Sequence, residues 1–258
     1  MRIVVCLKQV PKDNSVKINA DGTIDAGGIE QIINLFDEYA VEEALLLNEQ
    51  HGGDVTVLSI GPSEWQEQMR RALAMGATDA VLLSDAQFGA LDTLGAARVA
   101  AAAIGKLGNV NLVICGRNST DDESGAFGPA LARSLGWPQL TYVGKIIEVA
   151  AGSVTAERQL EDVTETVRAT LPAVLTVNKG KNEPRYPSLL RIRKVAKTEI
   201  PVWGAADIGL DAAALEPAVT IERRVPPPAR SSGEIIEGAD AAAKVKALVD
   251  RLVEAQVL

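Results

Sequence analysis

The chain has 258 residues, enough for one large domain or two small ones around a sizeable core. Apolar residues make up 47% and charged residues 23%, a globular balance, while aromatics reach only 3%, too few for a base-stacking surface. With 26 Lys and Arg against 34 Asp and Glu the net charge is -8, so nucleic acid is not an expected partner.

Up to about residue 140, short apolar runs alternate with helical patterns. Strands are predicted over Ile3 to Leu7, Asp54 to Ile60, Ala80 to Leu83 and Asn111 to Cys115. Helices are predicted over Asp37 to Asn48, over Glu64 to Met75 with Ser63 as cap and Gly76 as stop, from Asp92 or Thr93 to Leu107, and over Pro129 to Leu135. Strict alternation predicts right-handed βαβ units and a doubly wound, mostly parallel α/β sheet. Beyond Gly136 the helices thin out. Thr141 to Val149, Val154 to Glu157, Glu165 to Thr170 and Ala173 to Val177 read as strands, expected to extend the sheet in antiparallel fashion. An irregular basic segment, Lys179 to Lys197, follows. From 201 to 238 the chain reads as an arm leaving the core, stiffened by Pro226-Pro227-Pro228, and a last amphipathic helix spans Ala241 to Gln256 with Asp240 as cap. The expected division is thus a nucleotide-binding α/β domain over 1–200 and a C-terminal arm and helix over 201–258.

Cys6 and Cys115 lie inside apolar runs without metal-type spacing and read as buried thiols. His51 is the sole histidine and reads as a helix-end residue, which leaves no histidine-based catalytic centre. Met1 to Lys8 has no secretory pattern and no apolar stretch reaches membrane-spanning length, so the expected location is cytoplasmic, without membrane insertion.

The stretch richest in chemistry runs from the strand end at Gly116 through Ser119, Thr120, Asp121, Asp122, Glu123 and Ser124 to Gly125, Gly128 and the helix at Pro129. In open α/β sheets ligands sit beyond the carboxyl ends of strands, and glycines with free helix-start N–H groups suit phosphate. The three carboxylates fit ribose hydroxyls, an adenine amino group or a neighbouring chain better than a phosphate. The strand ends at Cys6-Leu7-Lys8 and Ser59-Ile60-Gly61, with Asn34 to Asp37, are placed to line the same crevice. The usual dinucleotide fingerprint, the P-loop and the hydrolase elbow are all absent.

In chain order, Lys8-Gln9-Val10-Pro11, Asn34-Leu35-Phe36, Tyr39 to Ala44, Ser59-Ile60-Gly61-Pro62, Ala72 to Ala77, Gly116 to Pro129, Gly136-Trp137-Pro138, Leu171 to Val174 and Glu183-Pro184-Arg185-Tyr186 are matched in one family. The chain resembles the β (small) subunit of electron transfer flavoproteins over nearly its whole length. Glu161-Asp162-Val163 departs from that pattern at its third place. The resemblance implies a Rossmann-like fold, a heterodimer with an electron transfer flavoprotein α subunit, and electron passage from flavin-containing dehydrogenases to a quinone oxidoreductase or other acceptor. It implies a redox FAD held mainly by the α subunit, and no catalytic residues on this chain. Carried over by position, the β-subunit nucleotide pocket uses Cys6, Asn34, Leu35, Phe36, Asp37 and Ile60. It continues through Gly116, Arg117, Asn118, Ser119, Thr120, Asp121, Asp122, Glu123, Ser124, Gly125, Ala126 and Phe127, with Asp121 as its leading polar side chain. Leu189, with Leu190 and Arg191, is the implied anchor for partner dehydrogenases. AMP and a second FAD both remain open as the ligand: Asp37 and Gly128-Pro129 resemble electron-bifurcating members, while Asn34-Leu35 and Asp122 to Ser124 do not. From a different class, an adenine-nucleotide hydrolase would need a phosphate-cradling glycine loop after the first strand, which Leu7 to Pro11 lacks. A stand-alone nucleotide sensor would have no need of the arm.

Overall fold

The structure, a computed structural model, describes all residues except 14–15, 26, 151, 181, 226–227, 229–232 and 258. The strands of its main sheet, in chain order, are β1 (Arg2–Cys6), β2 (Asp54–Ile60), β3 (Asp79–Leu83), β4 (Leu112–Gly116), β5 (Gln139–Ala150), β6 (Ser153–Gln159), β7 (Thr164–Thr170), β8 (Ala173–Val177) and β9 (Val202–Trp203). The helices are α1 (Leu35–His51), α2 (Gln66–Met75), α3 (Thr93–Leu107), α4 (Phe127–Leu135), α5 (Leu189–Val195) and α6 (Ala241–Glu254). Short antiparallel ladders also pair Gln9–Pro11 with Gln31–Ile33 and Lys17–Ile18 with Ile24–Asp25. Among the described residues, no helix is long and apolar enough to cross a membrane.

Spatial order in the sheet is β7-β6-β5-β8-β4-β1-β2-β3-β9. β1 is central and pairs in parallel with β2 and β4. Its side chains alternate between two cores. Ile3, Val5 and Leu7 meet α1 and α2 on one face, whereas Val4 and Cys6 meet α3 and α4 on the other. Both faces are dry, so each fully buried Val, Ile or Leu contributes roughly 1.5–3 kcal/mol. Ala97, Ala100 and Ala103 keep α3 close against the sheet. After β3 the chain crosses back to β4 on the far side of β1. The carboxyl ends of β1 and β4 therefore form a topological switch point, where a doubly wound sheet opens a crevice.

Several expected boundaries shift for physical reasons. α1 begins at Leu35 rather than Asp37, because the Asn34 carbonyl already accepts from the Asp37 and Glu38 N–H groups. Ser63 does not cap α2. It opens a 3-10 turn, Ser63–Trp65, that seats the Trp65 ring over Gly61. α4 begins two residues early, at Phe127. The β5-β6-β7 meander is antiparallel as expected, but β8 is not. It inserts between β5 and β4 and pairs with both in parallel, which its uninterrupted burial reflects.

The chain also stays with the core past 201. β9 joins the sheet edge beside β3, Ala205 and Leu215 are buried in the α3/α4 core, and the Ala218 and Val219 N–H groups donate to Asp92 at 2.7 and 3.1 Å. Buried apolar residues, sparse in the local sequence, hold this segment in place. Of the expected polyproline element, Pro226 and Pro227 lie outside the described residues. α6 forms as expected, two residues shorter, and the Asp240 carboxylate accepts from the Ala243 N–H at 2.8 Å.

Candidate functional site

A cavity of about 300 Å3 opens at the switch point. Its floor is apolar, made by Cys6, Leu58, Ile60, Cys115 and Ala100, with Phe88, Leu91 and Ala96 on the α3 side. Its rim is polar: Lys8, Asn34, Asp37, Thr93, Arg117, Asn118, Ser119, Asp122 and Ser124. An apolar slot beneath a ring of donors and acceptors suits a flat heterocycle carrying a polar tail.

Two side chains at the start of α1 build the rim from beneath. Asn34, 1% exposed, donates through Nδ2 to the Asn118 carbonyl at 2.9 Å and accepts the Thr120 N–H at 3.1 Å. That amide therefore makes no capping bond to its own helix. The Asp37 carboxylate accepts the Lys8 N–H at 2.8 Å and the Gly116 N–H at 3.0 Å, joining the ends of β1 and β4. Burial pushes its carboxyl up to about 7 against the lowering effect of these bonds and of Asn34. Gly116 must be glycine here, because a Cβ would collide with Asp37 Oδ1 and Phe36.

The rim loop between β4 and α4 is pinned to the end of β1. Lys8 Nζ donates to Asp121 Oδ1 at 2.7 Å, Ser119 Oγ at 3.2 Å and Asp122 Oδ2 at 3.3 Å. Asp122 also accepts the Ser124 N–H at 2.9 Å. Burial raises the Asp122 carboxyl, but the Ser124 bond and the Lys8 charge outweigh it and leave it below its ordinary range. Arg117 is held differently. Its guanidinium lies 5.0 Å from the Phe36 ring centre and 5.6 Å from that of Tyr142, and its Nε donates to Asn118 Oδ1 at 3.0 Å. α4 opens without a side-chain cap, which leaves its first N–H groups for a ligand or water. The two thiols sit side by side in register on β1 and β4. The hydrogen bond with Cys6, then burial, holds the Cys115 thiol well above its usual range, so the floor stays uncharged.

Of the site residues read from sequence, the structure brings Cys6, Asn34, Asp37, Ile60, Gly116, Arg117, Asn118, Ser119, Asp122, Ser124, Gly125 and Phe127 to the cavity. Leu35, Phe36, Thr120, Asp121, Glu123 and Ala126 flank it without lining it. Asp121, the expected leading side chain, is instead engaged with Lys8. Lys8 lines the cavity as the reading of the first strand end expected, whereas Trp65, Phe88, Leu91 and the start of α3 were not singled out in the sequence. The available signal was the pattern Asp92-Thr93-x-Gly95, an N-cap at the helix start that follows β3, and Asp92 does accept the Gly95 N–H at 2.7 Å. Among the described residues, no group of three or more His, Cys, Asp or Glu is placed to hold a metal ion.

A second surface lies around α5. Leu189 and Leu190 are 76% and 79% exposed. The segment before them is tied to α1: Arg185 pairs with Glu42 at 2.8 Å and with Glu49 at 2.5 Å, and Tyr39 Oη donates to Glu183 at 2.9 Å. Arg191 donates to the Met75 carbonyl at 3.0 Å, so it fastens α5 to the end of α2.

Comparison with known proteins shows the family. The model of the electron transfer flavoprotein domain matches residues 21–208. The chain is 43% identical over 216 residues to electron transfer flavoprotein subunit beta of Clostridium acetobutylicum, covering 83% of each chain. It is 38% identical over 263 residues to the caffeyl-CoA reductase-Etf complex subunit CarD of Acetobacterium woodii, covering 100% of each. With protein FixA of Azorhizobium caulinodans it shares 37% identity over 218 residues, 82% of this chain and 78% of that one.

Proposed function

Since the chain belongs to the electron transfer flavoprotein family, as a β subunit with an electron-transfer role, we propose that its crevice holds the adenosine monophosphate moiety of a nucleotide beside a flavin-bearing α subunit. The observation that carries this reading is the cavity at the switch point, with an apolar floor beneath a polar rim. The floor would take the adenine ring. The hydroxyls of Ser119, Ser124 and Thr93 and the uncapped start of α4 would meet ribose and phosphate. Asn34 and Asp37 would act indirectly, holding the rim loop and the two strand ends in place.

The bound flavin supplies one-electron chemistry. The chain contributes position and a dry floor, and works as a carrier without catalytic residues of its own. AMP is supported by the cavity size, at the lower end of the ~300–1,000 Å3 of ligand sites. A second FAD, with its adenylate half in the same place, is supported by Asp37, Gly128-Pro129 and the full-length similarity to a reductase-Etf complex subunit. Helix α6 would pack on the α subunit. Leu189 and Leu190 would meet flavin-containing dehydrogenases, with a quinone oxidoreductase or another acceptor downstream.

The deciding experiment purifies the chain with its α subunit, releases the nucleotides by denaturation and quantifies them. One FAD and one AMP per heterodimer would establish the AMP form. Two FAD without AMP would establish a flavin on this chain. FAD alone, at one per heterodimer, would remove the adenylate from the crevice.

A further inference from the structure

Among the described residues two cations line the crevice, Lys8 and Arg117, and they differ in freedom. Arg117 is fixed by two aromatic faces and by Asn118. Lys8 is 39% exposed, and its ammonium is engaged by three groups of the rim loop: Ser119, Asp121 and Asp122. Its carboxylate partners are 32% and 50% exposed, so each pairing is weak and readily exchanged. The cluster carries one positive and two negative charges. A phosphate approaching it meets net repulsion unless the ammonium turns from the carboxylates toward the phosphate. The loop keeps its shape without the ammonium: Asn34 holds its near half at Asn118 and Thr120, and the far half is closed by the Glu123 N–H on the Ser119 carbonyl at 2.9 Å and the Ser124 N–H on Asp122 at 2.9 Å.

We propose that Lys8 is an exchangeable phosphate latch. In the free chain it pairs with Asp121 and Asp122 of the rim loop, and in the nucleotide complex it leaves both carboxylates and pairs with the phosphate nearest the ribose. The two carboxylates then act as competitors that set the strength of phosphate binding. The inference rests on reading the crevice as an adenylate site and adds the residues that decide how the phosphate is recognised.

The test is calorimetric titration of the nucleotide-stripped heterodimer with adenosine, AMP and FAD. In Lys8→Gln, affinity for AMP or FAD, whichever the wild type takes, is expected to fall about ten- to hundredfold, the scale of one charge-assisted hydrogen bond. Adenosine affinity is expected to stay within about twofold. Asp121→Asn combined with Asp122→Asn is expected to tighten the phosphate-bearing ligand and leave adenosine unchanged. Equal losses for adenosine and AMP in Lys8→Gln would reduce Lys8 to a structural support and overturn the latch, as would unchanged AMP and FAD affinity. Wild-type binding of adenosine that gains nothing from phosphate would overturn the latch alone. Binding of no adenine compound would overturn the adenylate reading and the latch with it.

Discussion

The crevice edge of the sheet and the C-terminal segment are built by opposite means. At the crevice almost every polar group is answered from within the chain. Asn34 and Asp37 alone satisfy four main-chain groups of two separate segments, Lys8 and the stretch from Gly116 to Thr120. Beyond Val219 the chain contributes little to the core. α6 has no buried residue, yet Val245, Leu248, Val249 and Val253 follow helical spacing, at 59%, 45%, 44% and 55% exposure. A surface stapled from within is ready for a small ligand before the ligand arrives. An apolar stripe left open calls for a protein partner. One end of this molecule is therefore finished on its own, and the contact proposed for α6 would finish the other by assembly.

The largest expected effect breaks this comparison at the open end. Ending the chain at residue 220 removes α6 while keeping Ala218 and Val219 on Asp92. Co-purification with the α subunit is expected to be lost, and crevice ligand binding by the shortened chain to be kept. Retained assembly on size-exclusion chromatography would show that α6 is not the contact.

A second prediction sharpens the contrast at the crevice. Burial raises the Asp37 carboxyl from 3.8 to about 7. The folded protein then holds this proton more tightly than the unfolded chain does. The group's contribution to stability is full below about 3.8 and is lost as pH rises through about 7. Urea unfolding of the ligand-free chain across that window is expected to show a decline on the order of a few kcal/mol from this group. Asp37→Asn should flatten that decline. An unchanged slope would assign the titration elsewhere. The smallest expected effect concerns the exposed anchor. Leu189→Ala should slow electron delivery from a partner dehydrogenase by about tenfold, a typical hot-spot loss, with flavin content and melting temperature unchanged. Equal transfer rates with every dehydrogenase tested would defeat the anchor.

Much of the fold was legible because its signals are local. β2 and α3 carry their period, their caps and their stops within a few residues, and both appear where expected. The two-sided burial of β1 and β4 followed from unbroken apolar runs. β8 looks much the same in sequence, but pairing direction depends on which strands lie beside it, and that is a long-range fact. The segment over 202–215 misled for the same reason: its composition is loose, and only α3 and the sheet edge make it part of the core.

The site divides in the same way. The sequence by itself determined that a strand end, a glycine-bearing acidic loop and a helix start follow one another at Gly116 to Pro129, and that α6 is amphipathic, because these are properties of neighbouring residues. Only the tertiary structure decided what the polar groups do. It turned Asn34 and Asp37 into supports, engaged Asp121 and Asp122 with Lys8, more than a hundred positions away along the chain, and brought the start of α3 to the rim. The physical reason is that a charge or a hydrogen-bonding group is defined by what faces it, and at a switch point the facing groups come from strands and helices far apart in the chain.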